Sequence, residues 1–112
     1  MDENVRKVVE SRSFKQKRGR IRNALIRQLK DKELYHEPYN DMVEQYLNLW
    51  DASQLLDYDI KERGVRILDA RGNVKKNDSV AQLVNVIKQM NLVLDKLHLQ
   101  AEPAKEELGG DI

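Results

Sequence analysis

Apolar residues recur along this chain at helical spacing in three blocks, separated by two stretches where the pattern breaks. In the first block Ile21, Ala24, Leu25, Gln28 and Leu29 fall on one side, while Arg20, Asn23, Arg27 and Lys30 fall on the other. That periodicity predicts a helix over about 17–34, with Gly19 weakening its start. The residues before it, 1–16, are polar and basic and read mainly as a flexible arm. The stretch "YHEPYND" then interrupts the pattern, and Pro38 suits the opening of a new helix. Tyr39, Met42, Val43, Tyr46, Leu49, Trp50, Ser53, Leu56 and Ile60 keep a seam as far as Gly64. Lys61 and Arg63 suit the last turn of that long second helix, which reads as the spine of the domain.

The second break differs in kind. Val65, Ile67 and the Arg-Gly-Asn turn at 71–73 predict a short β-hairpin or an extended excursion. A lone hairpin is marginally stable, so it needs a helix or a second subunit to lean on. Asp78 or Ser79 is then expected to cap a third helix over about 79–98. Val80, Leu83, Val84, Ile87, Met90, Leu94 and Leu97 are its expected core stripe, with Val86, Leu92 and Val93 beyond it. A helix apolar over most of its circumference must be covered over most of it. One other long helix cannot do so, and the surplus predicts association with further copies of the chain. Val86, Met90, Val93 and Leu97 are the candidate oligomerisation positions. The fold class expected is therefore mainly α: a long helical hairpin core with a short β-hairpin or extended excursion between helices two and three, in a chain that associates with further copies of itself. Residues 17–99 form its helical domain, and residues 100–112 read as an acidic, disordered tail.

Charge changes this picture most. The 112-residue chain has a net charge of +1, yet residues 1–30 hold ten basic and three acidic side chains and the remainder ten basic and sixteen acidic. A basic head thus sits on an acidic body. Arg12, Lys15, Lys17, Arg18, Arg20, Arg22, Arg27 and Lys30 occur with no acidic residue among them. A solvated helix face ordinarily interleaves signs to gain i,i+4 pairs. An unmixed, arginine-rich run suits phosphate, because the guanidinium fork contacts it bidentately. These eight residues are the candidate DNA-binding set. One protomer's few phosphate contacts bind weakly at physiological salt, whereas several copies on one scaffold bind well.

Catalytic chemistry finds no constellation. His36 and His98 stand apart, Asp57 and Asp59 point in different directions on a helix, and the five glycines make no phosphate loop. The absence of cysteine excludes disulfides and thiolate metal sites. No enzyme activity, metal or cofactor is expected. The N-terminus lacks a signal-peptide pattern and no run approaches a membrane span, so a soluble protein of the cytoplasm, without membrane contact, is expected.

Residues 35–99 resemble the small subunit of phage terminases. The resemblance rests on Tyr39, Met42-Val43, Tyr46 and Trp50 down a long helix, and on Gly64 before an extended excursion. It continues through "GNVKKNDSVAQL" into a last helix ending "LDKLHLQ". Lys76-Asn77-Asp78 stands where the family often has Lys-Asn-Pro, and Leu97-His98-Leu99 resembles the family's Leu-Gly-Leu with His98 in place of glycine. The resemblance implies a non-catalytic ring that binds double-stranded viral DNA in the host cytoplasm and hands it to the large terminase subunit, the ATPase and nuclease. Residues 39–99 would then build the ring, the basic head would meet DNA, and the acidic tail would touch the large subunit. Two other readings share the basic head: a small homodimeric DNA-binding transcriptional regulator, and an adaptor that docks an acidic protein.

Overall fold

The computed structural model describes residues 3–98, over which the order is α1 (Glu3–Glu10), α2 (Arg12–Asp31), α3 (Tyr39–Arg63), β1 (Arg66–Leu68), β2 (Val74–Lys76) and α4 (Asp78–Lys96). The expected architecture is present: mainly helical, with a short antiparallel hairpin between the last two long helices. The expected acidic tail lies outside the described residues.

α3 is the spine. α4 runs back along it, so that Asp59 near the end of α3 meets Ser79 at the start of α4 and Val43 near its beginning shares a core with Leu97. α2 also runs antiparallel to α3, with Arg18 opposite Asp51 and Arg22 opposite Glu44. The core forms where all three helices meet: Leu25 and Leu29 from α2, Val43 and Leu47 from α3, and Leu97 just past α4. Ile21, Ile26, Leu34, Tyr39, Met42, Tyr46, Val93 and Leu94 pack around it. Leu47, which is fully buried, is absent from the seam expected from the sequence.

Three boundaries differ from expectation, each for a local reason. α2 begins at Arg12, not near 17, because Ser11 caps it by accepting from the Phe14 N–H and Phe14 seats its ring 5.0 Å from Trp50. Gly19 lies inside the helix with open space where a Cβ would point, so nothing halts propagation there. α2 ends at Asp31, not 34, in a Schellman motif. The Leu34 N–H returns to the Leu29 carbonyl and the Glu33 N–H to the Lys30 carbonyl, with Glu33 left-handed at φ 60° and Leu34 folded onto the core. The cap of α4 is Asn77, whose side chain accepts from the Ser79 N–H, one residue before the expected pair. The expected irregular arm is helical instead over Glu3–Glu10, where Val8 and Val9 are half-buried and α1 packs on α2 and α3.

The hairpin pairs Arg66 with Lys76, Ile67 with Lys75 and Leu68 with Val74. Its turn closes on Asp69, whose carboxylate accepts from the Arg71 and Asn73 N–H groups at 2.8 and 2.9 Å. Gly72 takes the φ of 83° that the turn requires.

Candidate nucleic-acid interface

At about 100° per residue, the eight basic side chains of α2 fall into two groups. Arg12, Arg20, Arg27 and Lys30 lie on one stripe with Gln16 and Asn23, opposite the face that carries Ile21, Leu25 and Leu29. This polar stripe contains no acidic residue and, from Arg12 to Lys30, extends about 27 Å at 1.5 Å per residue. Lys15 and Lys17 are exposed on its two flanks. Lys30 also lies 5.1 Å over the ring of Tyr35.

Arg18 and Arg22 are different. Arg18 bonds Asp51 at 2.9 Å and Arg22 bonds Glu44 at 3.0 Å, both across the α2–α3 seam. The expectation of eight uncompensated charges is corrected here: Arg27 is engaged, and acidic partners distant in sequence lie close to Arg18 and Arg22 in the fold. Such part-exposed pairs contribute a few tenths of a kcal/mol to about 1 kcal/mol each, and their larger effect is to set how α2 lies on α3.

Near the start of α2, Val8, Ser11, Ser13, Phe14, Lys17 and Arg20 meet Trp50 and Gln54 around an open hollow of about 310 Å³. Trp50 is a packing residue against Phe14, in keeping with its place in the apolar seam.

The apolar surface of α4 is arranged otherwise than expected. Leu97 is fully buried in the protomer's own core and Val93 packs against that core, while Val86 and Met90 are half-buried. The exposed positions are Val84 at 52%, Ile87 at 46% and Leu92 at 49%. α4 carries two overlapping stripes, 83-86-90-93-97 and 80-84-87, both with helical spacing. The first faces α3, which removes Val84 and Ile87 from the expected core stripe; spacing alone does not choose between the two.

Sequence reasoning also missed a polar cluster at the far end of α3. The Asp59 carboxylate accepts from Arg63 at 2.6 and 2.8 Å, from the Ser79 hydroxyl at 2.7 Å and from the Asn77 amide at 3.1 Å. These donors hold the Asp59 carboxyl well below the usual carboxylate range: Arg63 contributes most, then Ser79, partial burial opposes them, and Asn77 adds a lesser lowering. Asn77, almost fully buried, also donates to the Gly64 carbonyl at 2.9 Å. The residue types were visible; the eighteen-residue separation of Asp59 and Asn77 was not bridgeable by periodicity. Among the described residues no three His, Cys, Asp or Glu side chains gather as a metal site, and no helix is long and apolar enough to cross a membrane.

The family model for the phage terminase small subunit matches residues 20–106. The match takes in α3, the hairpin and α4, and begins within α2, so that Arg12, Lys15, Lys17 and Arg18 precede it. No curated protein and no solved structure matches the chain.

Proposed function

The chain belongs to the phage terminase small-subunit family, with a role in phage DNA packaging, and from that premise we propose that it binds double-stranded viral DNA as a ring-shaped homo-oligomer and delivers it to the large terminase subunit. In this reading the chain recognises and presents DNA in the host cytoplasm, while ATP hydrolysis and DNA cleavage belong to the large subunit. The observation that carries it is the acid-free stripe Arg12–Gln16–Arg20–Asn23–Arg27–Lys30 on the outer face of α2. Cations and amide side chains in one row suit a phosphate backbone, and the paired Arg18 and Arg22 keep the row facing outward.

A ring multiplies this weak contact. Copies fixed on one scaffold raise the effective concentration of each next stripe, so modest single-protomer affinity becomes tight and strongly salt-dependent binding. The exposed Val84 and Ile87 offer apolar surface for contact between copies.

The test is fluorescence anisotropy with duplex DNA across a salt series, alongside light scattering on a sizing column. Arg12→Glu, Arg20→Glu and Lys30→Glu together are expected to abolish binding while leaving a native mass many times 13.1 kDa unchanged. Undiminished binding by this variant would remove α2 as the DNA site. A clean dimer would replace the ring with the two-fold regulator.

A further inference from the structure

The hairpin contributes little to the protomer's own core, yet it is held firmly in place. Val65, Leu68 and Val74 are 61%, 68% and 65% exposed, and only Ile67 of the two strands is half-buried. Its base is fixed by Asn77, whose amide donates to Asp59 and to the Gly64 carbonyl while its backbone N–H donates to the Val65 carbonyl. Its tip is fixed by Asp69, which closes the turn beneath Arg71. Order of this kind, with so little apolar burial to explain it, is preorganisation for a partner.

The chemistry of the ribbon identifies the partner's class. Residues 65–76 carry Arg66, Arg71, Lys75 and Lys76 against one acid, Asp69, which is occupied within the turn. This is a second basic element, set in the otherwise acidic part of the chain. Arg66, Leu68, Val74 and Lys76 share one face, because they alternate along each strand and pair directly across the hairpin. That face presents an apolar pair, Leu68 and Val74, beside a cationic pair, Arg66 and Lys76, with Arg71 at the tip. A two-stranded ribbon fits the DNA major groove, where apolar side chains meet thymine methyl groups and flanking cations meet phosphates.

We infer that the β1–β2 hairpin is a second DNA-contacting element, a preorganised cationic ribbon that enters the major groove beyond the reach of α2. The inference rests on the proposal that the chain binds DNA, and adds a contact which that proposal does not contain. Gln54, beside the start of α2, and Gly64, at the hairpin's base, are ten residues apart, or about 15 Å along α3. The two basic elements therefore occupy separate stretches of the spine and extend the footprint along it.

The experiment measures duplex affinity against salt for the full chain and for Arg66→Gln/Arg71→Gln/Lys76→Gln, the three cations of the groove-facing side. Each lost phosphate contact lowers the slope of log affinity against log salt by roughly 1, so a drop of roughly 2 to 3 is expected with native mass and helicity unchanged. A charge-matched control, Lys61→Gln/Lys88→Gln/Lys96→Gln, should keep the original slope. An equal drop in the control would reduce the effect to general electrostatics and overturn the inference. An unchanged slope in the hairpin variant would overturn it too, and a fall in native mass would reassign the ribbon to contacts between copies. Absence of binding by the unmodified chain would overturn the DNA reading itself, a result distinct from loss of the hairpin contribution alone.

Discussion

The two ends of the α3–α4 pair are held together by different physics. At one end α2 lies across both helices, and Leu25, Leu29, Val43, Leu47 and Leu97 close a dry core. At the other end α2 is absent, and a polar cluster of Asp59, Arg63, Asn77 and Ser79 joins α3 to α4. Apolar side chains are plentiful at both ends, but at the second Val65, Leu68, Val74 and Val84 stay largely exposed. Apolar sequence is thus a poor guide to where the protomer is closed; the position of a third helix decides it. Hydrogen bonds fix geometry without covering surface, so the polar end is ordered and still open to partners.

The largest test of this contrast replaces one residue from each region. Leu47→Ala empties a fully buried site and is expected to cost about 2–5 kcal/mol in urea unfolding. Ile87→Ala removes a side chain already 46% exposed and is expected to cost about 1 kcal/mol or less in the protomer. Equal costs at every protein concentration would break the contrast. A cost for Ile87→Ala that grows with protein concentration would sharpen it, since copies that cover this face stabilise it by mass action.

A smaller loss is expected from the polar end. Asn77→Ala strips partners from the buried Ser79 N–H and the Gly64 carbonyl, a cost of about 1–3 kcal/mol. Amide exchange should quicken across Arg66–Lys76 and stay unchanged at Leu25 and Leu29; uniform quickening would mean that the two ends unfold as one unit. The same cluster makes this end sensitive to acid. Asp59 is held below its unfolded value by Arg63, Ser79 and Asn77, so its contribution is complete above about pH 4 and is lost as pH falls from there. Asp59→Asn should therefore be less stable than the parent near neutrality and lose less on acidification. Parallel stability curves for the two proteins would remove Asp59 as the source of the acid response.

The sequence displays the dry end better than the open one. Helical periodicity located α2, α3 and α4, and Gly64 with the Arg-Gly-Asn turn located the hairpin, because each signal acts over fewer than ten residues. Contacts between distant residues left no such mark. Arg18 and Arg22 look unpaired until Asp51 and Glu44 arrive from α3. Leu97 looks available to a partner until α2 covers it, and Val84 looks buried until α4 takes up its rotation. The basic run of α2 was legible as a candidate DNA surface; its division into an outward stripe and a seam-facing pair required the tertiary structure.

The smallest effect lies at the closed end, in one residue just past α4. His98 has φ 59°, in the left-handed region where a Cβ is costly and glycine is not, and it follows Leu97 at the position where helices most often place glycine. Its carbonyl accepts from the Lys32 side chain, which ties the end of α4 to the end of α2. Because that acceptor is backbone, replacing the side chain leaves the tie in place. His98→Gly relieves the strained backbone but widens the unfolded ensemble, and the two effects oppose each other. The net expectation is a gain of about 0.5 kcal/mol in urea unfolding, since histidine tolerates this region better than branched residues do but less well than glycine. His98→Val, with a branched Cβ at the same φ, should instead lose about 1–2 kcal/mol. If glycine and valine shift stability equally, the closed end does not depend on the left-handed turn after Leu97, and burial of Leu97 alone secures it.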